Sequence, residues 1–223
     1  MNLPLLNGVS RQRLMDIAGK IKFHFLKYLE GETIVRAGEE CDHLKFILSG
    51  AVRATITNPD NRFKVSQTLR NPVAISPEFL YGAQTRYPHD VVALEPTGIM
   101  QISKSDYLKL LAMDKVFLIN YLNLVSSISQ RATTGLIPLT SGNLEERIAY
   151  WIVALTQRGG TDIELECKKR DLYSLFGVQR SSFIATLDSM KQRDIIDYGN
   201  GWIKVVSRPA LIEILNNHIV SEE

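Results

Sequence analysis

The fold of the C-terminal half is decided by one stretch, residues 169–187, which reads KRDLYSLFGVQRSSFIATL. A short helix is predicted before Gly177, and a second helix from Arg180 to Lys191. Gly177 permits the positive φ that a sharp turn between them requires. Two helices joined by a short glycine-containing turn form a helix-turn-helix. Apolar residues at helical spacing predict the side chains buried beneath it: Leu172, Leu175, Phe176, Val178, Phe183, Leu187 and Met190.

A β-hairpin is predicted directly after the second helix. Two short apolar runs between Ile195 and Val206 flank Asn200-Gly201, a strong signal for a two-residue turn. Helix, turn, helix and hairpin in this order indicate a winged helix-turn-helix, whose second helix enters the DNA major groove. Polar and basic residues at its exposed parts are the candidate DNA contacts: Lys169, Arg170, Gln179, Arg180, Ser181, Ser182 and Lys204.

The charge distribution supports DNA contact only locally. The chain has a formal net charge of +2, and the part from Leu139 onward holds more acidic than basic residues. Between Lys168 and Arg193, however, six bases accompany two acids. A basic stripe on one face is the expected footprint of phosphate contact. A winged helix used for protein contacts is the alternative.

The N-terminal half has the sequence pattern of a β-sandwich or jelly roll. Short apolar or alternating runs, punctuated by turn residues, predict antiparallel strands. A helix capped by Ser10 precedes them, with Leu14, Ile17 and Ala18 on one face, and Ser103 caps a helix that follows. The predicted strands comprise residues 25–29, 33–35, 45–48, 52–56, 63–66 and 98–102.

A long helix is predicted over residues 114–136, and a linker over 137–142, where Pro138 cannot continue the helix. A helix capped by Asn143 follows and ends at Gly159-Gly160. The apolar seam of the long helix predicts a homodimer, which would match a two-fold DNA site. The alternative is that the seam packs on its own sandwich. The seam residues are Leu118, Tyr121, Leu122, Val125, Ile128 and Ala132.

Three domains are therefore expected: an effector domain over residues 1–113, a dimerisation helix and hinge over 114–138, and a DNA-binding domain over 139–223. No stretch approaches the ~20 apolar residues that span a bilayer, and no signal peptide is recognisable, which predicts a cytoplasmic protein. No catalytic triad or phosphate loop has usable spacing, so an enzyme is not predicted.

Cysteine and histidine spacing argues against several cofactors. Cys41 and Cys167 lack CxxC partners, so neither a disulfide framework nor an iron–sulfur cluster is predicted. Cys41-x-His43 is only a weak indication of a metal site. The scattered histidines give no pattern of haem ligands: His24, His43, His89 and His218.

Residues 31–52, GETIVRAGEECDHLKFILSGAV, together with the helix-turn-helix, resemble the cyclic-AMP receptor protein / fumarate-nitrate regulator (CRP/FNR) superfamily. The resemblance covers nearly the whole chain. It implies an α+β fold: an N-terminal cyclic-nucleotide-binding-like β-roll (jelly roll), a long dimerisation helix and a C-terminal winged helix-turn-helix. It also implies a homodimeric transcriptional regulator of double-stranded DNA, with a small-molecule effector in the β-roll. RNA polymerase is a further candidate partner.

The resemblance locates an effector site in residues 76–91, SPEFLYGAQTRYPHDV. Glu78 and Arg86 are nearest to the family's ribose-binding Glu and phosphate-binding Arg, and Gly82 and Tyr87 complete the candidate set. Pro77 replaces the family's Gly, and Tyr87-Pro88 replaces its small phosphate donor. An ungapped match even places Tyr87 at the Arg position. We therefore expect an effector other than cyclic AMP, or none.

On the DNA side, the resemblance assigns base reading to Arg180. Ser181 stands where cyclic-AMP receptor proteins often have Glu, and Ala185 where they often have a second Arg. Arg180 is therefore expected to read one guanine while the rest of the site departs from that family's DNA sequence. The rival interpretation is a cyclic-nucleotide-type sensor module that docks a protein partner.

Overall fold

The computed structural model describes residues 7–215, which divide into two compact units. The first unit comprises residues 7–54 and 69–129, and the second comprises 55–68 and 130–215. His218 and the side chains of Leu14 and Ala18 lie outside the described part. Among the described helices, none combines the length and apolar character needed to cross a membrane.

The first unit is built on antiparallel strands. The strands of the β-roll are β1 (Phe23–Tyr28), β2 (Thr33–Val35), β3 (His43–Ser49), β4 (Ala51–Thr57), β5 (Phe63–Arg70), β6 (Val73–Ile75), β7 (Asp90–Ala93) and β8 (Thr97–Ser103). A four-stranded sheet has the order β1-β8-β3-β6, and β3 and β8 pair from His43↔Ser103 to Ser49↔Gly98. The predicted β-roll is confirmed, but the short β6 and β7 were not predicted.

The described part of the first unit has three α-helices: α1 (Arg11–Ala18), α2 (Lys104–Met113) and α3 (Lys115–Thr134), which continues into the second unit. Both predicted caps are present, since Ser10 Oγ accepts from the Arg13 amide at 3.3 Å and Ser103 Oγ from the Asp106 amide at 3.1 Å. Such caps satisfy amides that have no partner inside the helix.

The predicted apolar seam of α3 divides in two. Tyr121 is buried in the core of the first unit, with its hydroxyl donating to the Pro77 carbonyl at 3.3 Å. Leu118 and Leu122 remain 37% and 46% exposed. The assignment of Tyr121 to one continuous dimer seam is therefore corrected: the ring packs on its own unit, because α3 covers the sandwich with one face.

The second unit contains α4 (Leu136–Ser141), α5 (Leu144–Ala154), β9 (Thr161–Cys167), α6 (Lys169–Leu175), α7 (Arg180–Gln192), β10 (Ile196–Tyr198), β11 (Trp202–Val205) and α8 (Arg208–Leu215). Asn143 and Glu146 form a reciprocal capping box at the start of α5, with distances of 3.0 and 2.8 Å. The predicted cap at Asn143 is confirmed.

The predicted linker over residues 137–142 is wrong for most of its length, because α4 occupies residues 136–141. The break lies at Gly135 instead, and Pro138 falls in the first turn of α4, where a missing N–H costs no helical hydrogen bond. Helix α5 also ends at Ala154, before the Gly159-Gly160 pair predicted to end it.

The second unit also includes the distal part of the β4–β5 hairpin, Thr55–Thr68. Strand β5 pairs antiparallel with β9 from Phe63↔Cys167 to Thr68↔Thr161, and Lys64 Nζ lies 2.6 Å from Glu166 Oε1. This long-range pairing has no local signature, which is why the units differ from the linear division expected from the sequence.

Candidate DNA-binding surface

The helix-turn-helix is assembled around Gly177. Its φ of +65° lies in the left-handed region, as predicted, and the Val178 amide donates to the Tyr173 carbonyl at 3.0 Å across the turn. Arg147 of α5 fixes the same turn, because its guanidinium donates to the Phe176 carbonyl at 2.6 Å and lies over the Phe176 ring. The turn between α6 and α7 is therefore rigidly supported.

The buried side of α7 is as predicted. Phe183, Leu187 and Met190 are fully buried, and the Phe183 ring stacks on Phe176 with centroids 6.2 Å apart. One prediction fails on α6: Leu175 is 53% exposed, because it lies at the last residue of that helix, on the side away from the core. The apolar core alone fixes how α7 is rotated, and hence which of its residues face outward.

The outward start of α7 carries the predicted polar residues. Gln179 is the N-cap but makes no side-chain capping bond, and Arg180, Ser181 and Ser182 follow in the first turn, all exposed. The first amides of a helix have no intrahelical acceptor, so this end attracts anionic groups. The structure thus brings four of the predicted DNA contacts together on one helix end.

An open depression extends along the exposed side of α7, lined by Arg180, Ser181, Ile184, Ala185 and Asp188. Helical spacing places all five on one face. Ile184 and Asp188 were not among the predicted contacts, although the same spacing could have identified them once the buried face was assigned.

The hairpin of β10 and β11 is tied to α7 through Tyr198. The Tyr198 hydroxyl donates to the Asp188 carboxylate, and this bond raises the pKa of Tyr198 to about 12. Lys169 Nζ lies 4.4 Å from the centre of the same ring, and Lys191 Nζ lies 5.7 Å from it. The β10–β11 hairpin, called the wing below, is therefore held in a fixed position beside α7. Lys204 is exposed on β11, so its place beside α7 is fixed together with the hairpin.

The predicted basic stripe is not uniform. Lys191 pairs with Asp197 at 2.6 Å, which lowers the pKa of that carboxyl, and Arg193 pairs with Glu145. Ion pairing reduces their attraction for phosphate. Lys168, Arg170 and Arg180 are exposed, so positive charge is concentrated at the first turns of α6 and α7.

The four candidate effector residues differ from one another in burial and in hydrogen bonding. Glu78 is half-buried in the short 3-10 turn Pro77–Phe79, and Gly82 is exposed with φ +105°. Arg86 is exposed and donates to the Gly38 carbonyl at 2.7 Å. Tyr87 is buried, donates to the His43 carbonyl at 2.9 Å, and burial raises the pKa of its hydroxyl. Arg86 and Tyr87 are thus engaged by the chain itself.

Two further polar features of the first unit were missed. His89 is buried with its Nε2 3.0 Å from Ser76 Oγ, and burial lowers the pKa of its imidazole to about 4, against a smaller opposite effect of Asp90. Tyr81, Tyr107 and Tyr121 form edge-to-face ring pairs. The Tyr107 hydroxyl is buried and has no hydrogen-bond partner within residues 7–215.

Metal chemistry gains no support from the geometry. Within the described residues, no three His, Cys, Asp or Glu side chains converge as a metal ion would require. Cys41 is 1% exposed, and burial raises the pKa of its thiol, which disfavours the thiolate that binds metals.

Comparisons with known proteins identify both halves of the chain. Residues 25–114 match the cyclic nucleotide-binding domain family, and residues 146–214 match the Crp-like helix-turn-helix domain family. A β-roll followed by a winged helix-turn-helix, in this order, defines a class of two-part transcriptional regulators. The chain belongs to the CRP/FNR superfamily of transcriptional regulators, which confirms the family and the fold expected from the sequence.

Individual relatives resemble the chain at low identity. The cyclic AMP receptor protein of Thermus thermophilus is 23% identical over 211 residues, covering 95% of this chain and 96% of that protein. The crystal structure of the Thermus thermophilus catabolite activator protein superposes with a TM-score of 0.56 at 21% identity, covering 97% and 100% of the two chains. A Thermotoga maritima transcriptional regulator gives 0.50 at 22% identity, covering 57% and 98%. These likenesses support the fold.

Proposed function

We propose that this regulator binds double-stranded DNA sequence-specifically as a homodimer, with the first turns of α7 in the major groove. One observation carries the proposal: the buried side of α7 is fixed by Phe183 and its neighbours, so Arg180, Ser181 and Ser182 must face outward together. An exposed helix start that carries Arg and hydroxyl groups suits guanine edges and phosphates.

Phosphate contacts are assigned to the residues around this helix start. Arg170 is exposed on α6, and Lys204 is exposed on the wing that Tyr198 anchors. Lys169 lies over the Tyr198 ring, which directs its ammonium group toward the wing. Contacts from two elements, α6 and β11, would set the register of α7 on DNA without reading its sequence.

The homodimer is assigned to the exposed apolar residues of α3 within the first unit. Leu118, Ile119 and Leu122 are 37%, 53% and 46% exposed, and their spacing places Leu118 and Leu122 one helical turn apart. Burying this surface against a second copy would remove it from water and would present two α7 helices to a two-fold DNA site.

A matched pair of variants tests this dimer. Leu122→Glu places a charge in the assigned interface and should give a monomer, because an unpaired charge is costly to bury. Leu108→Glu changes an equally apolar side chain on α2 that is 57% exposed, and should leave the dimer intact. Light scattering coupled to gel filtration measures both. A Leu122→Glu protein that is still dimeric would contradict the assignment of the dimer interface to α3.

The β-roll is proposed to take a small-molecule effector other than cyclic AMP. Arg86 already donates to the Gly38 carbonyl, so it is not held ready for a cyclic phosphate. The buried Tyr107 hydroxyl supports a ligand with a polar group, because leaving it without a partner costs about 1–3 kcal/mol. Ligand binding would shift the population of DNA-competent conformations. RNA polymerase remains a predicted partner.

A screen of nucleotides and metabolites by thermal shift tests the effector proposal, since a ligand that binds the folded state raises the unfolding temperature. We expect no shift with cyclic AMP and a shift with another metabolite. The Tyr107→Phe variant should lose part of that shift. A cyclic AMP shift that Arg86→Ala abolishes would contradict this assignment.

Selection of bound duplexes from a random DNA pool tests the DNA-binding function. We expect two-fold sites whose half-sites contain a guanine that Arg180 reads but otherwise differ from the cyclic-AMP receptor half-site. Binding should also fall steeply with salt, because phosphate contacts release counterions. Failure to enrich any sequence, or recovery of the unmodified cyclic-AMP receptor half-site, would overturn the proposal.

A further inference from the structure

The exposed face of α7 changes character along its length. Arg180 and Ser181 occupy its first turn, Ile184 and Ala185 the next, and Asp188 the one after, all lining the same open depression. Ile184 is half-buried, with the rest of its side chain accessible, and Ala185 is exposed. The depression therefore has an apolar centre with a basic end.

The polar residue beyond this apolar centre is already engaged. Asp188 accepts a hydrogen bond from the Tyr198 hydroxyl, and Lys191 in the following turn pairs with Asp197. These bonds hold the Asp188 and Lys191 side chains against the hairpin, so neither side chain is directed at a ligand in the depression. Hydrogen bonding on this face therefore comes from its first turn, and the second turn offers only aliphatic carbon.

An aliphatic surface can match only one group in the major groove. Guanine, adenine and cytosine present hydrogen-bonding groups there, whereas thymine adds a C5-methyl group. Placing Ile184 and Ala185 against a polar edge would remove water from that edge without replacing its hydrogen bonds. Placing them against a thymine methyl buries apolar surface on both sides.

We infer that Ile184 and Ala185 make this regulator select thymine, through its C5-methyl group, close to the guanine read by Arg180. The inference rests on the proposed docking of α7 in the major groove. The helix rises ~1.5 Å per residue, so the four residues from Arg180 to Ile184 correspond to about 6 Å, which is at most about two base pairs of DNA. The thymine therefore lies within about two base pairs of that guanine.

Replacing thymine by deoxyuridine tests the inference, because it removes only the methyl group. Each thymine of a selected duplex is replaced in turn, and binding is measured at fixed salt. We expect one position per half-site at which affinity falls about fourfold, the effect of one buried methyl group. A 5-methylcytosine·guanine pair at that position should bind more tightly than an unmethylated one.

Two variants connect the methyl effect to this face. Ala185→Asn and Ile184→Ser should each reduce the difference between thymine and deoxyuridine, because both remove apolar surface from this face. Ser189→Asn introduces the same side chain as the first variant at an exposed position of α7 outside the depression, and should leave the fourfold difference unchanged. Ala185 is exposed, so its replacement is not expected to unfold the chain.

The outcomes separate this inference from the function on which it rests. Specific binding that depends on Arg180 but shows no deoxyuridine effect at any thymine overturns the inference and leaves DNA binding standing. A deoxyuridine effect that persists in both variants also overturns it, because the methyl group is then sensed elsewhere. Absence of any specific DNA binding overturns both.

Discussion

The start of α7 and the Arg86–Tyr87 segment of the β-roll carry similar chemistry in opposite settings. At the start of α7, Arg180 and Ser181 are exposed and line an open depression. In the β-roll, Arg86 donates to the Gly38 carbonyl and Tyr87 to the His43 carbonyl. The side chains of the first pair are exposed to solvent, whereas those of the second form hydrogen bonds within the chain.

This contrast shows that residue type alone does not indicate a binding function. The first segment was predicted as a site from the helix-turn-helix pattern, and the second from its resemblance to the family's phosphate-binding segment. Only the segment whose rotation is fixed by a buried core, and whose polar groups face outward, keeps them available. We therefore expect substitutions of the outward-facing residues of α7 to change DNA binding, and substitutions of Arg86 or Tyr87 to change stability.

The largest effect is expected inside α7, where Phe183→Ala removes a fully buried ring stacked on Phe176. The cavity should destabilise the second unit by about 3–5 kcal/mol. The adjacent Ser182→Ala, on the exposed side, should change stability by about 0.5 kcal/mol or less. Both tryptophans, Trp151 and Trp202, belong to the second unit, so their fluorescence reports its unfolding selectively. Equal effects would show that α7 is rotated differently.

The next largest effect is expected from His89 in the first unit. Burial lowers the pKa of its imidazole to about 4, whereas an unfolded histidine titrates near 6.5. Between these values the unfolded chain binds more protons, so stability should decrease as pH falls from about 6.5 to about 4. The total loss should be about 3 kcal/mol, and the full contribution is present above pH 6.5.

Calorimetry across this pH range measures the effect, with tryptophan fluorescence identifying the transition of the second unit. His89→Gln should flatten the acid dependence of the other transition, since the titrating group is gone. His24→Gln, which changes a half-buried histidine of β1, should keep it. An unchanged pH profile in His89→Gln would show that other groups cause the acid sensitivity.

A smaller effect is expected at Tyr87. Tyr87→Phe deletes only the hydroxyl that donates to the His43 carbonyl, and should destabilise the first unit by about 1 kcal/mol, the usual net contribution of one hydrogen bond. DNA affinity in the absence of an effector should not change. Tyr28→Phe deletes the hydroxyl of a half-buried β1 ring and serves as the comparison. A stable Tyr87→Phe protein with weakened DNA binding would contradict the structural role.

Within the second unit, local features were predicted from the sequence better than the pairing of strands, for a physical reason. Gly177, Asn143 and the spacing of Phe183, Leu187 and Met190 act locally, so their signals lie within a few residues of what they determine. The pairing of β5 with β9, in contrast, joins residues about a hundred positions apart. Spacing within one segment cannot reveal such a partner.

The candidate sites divide in the same way. The outward position of Arg180, Ser181 and Ser182 follows from helical periodicity, and the structure agrees with it. The bonding partners of Arg86 and Asp188, in contrast, lie on other elements: Gly38 is 48 residues from Arg86, and Tyr198 is on the hairpin that follows α7. These tertiary contacts decided which charges remain outward, and no local pattern could supply them.

The base-reading role of Arg180 is tested with the variants Arg180→Ala and Arg170→Ala. The affinity of each variant is measured for four duplexes, which carry the four different bases at the guanine position. Arg180→Ala should lose about 2 kcal/mol on the preferred site and bind all four duplexes equally. Arg170→Ala should weaken all four alike and reduce the salt slope by about one. Retained guanine preference in Arg180→Ala, or equal losses from both variants on every duplex, would contradict the assignment of base reading to the start of α7.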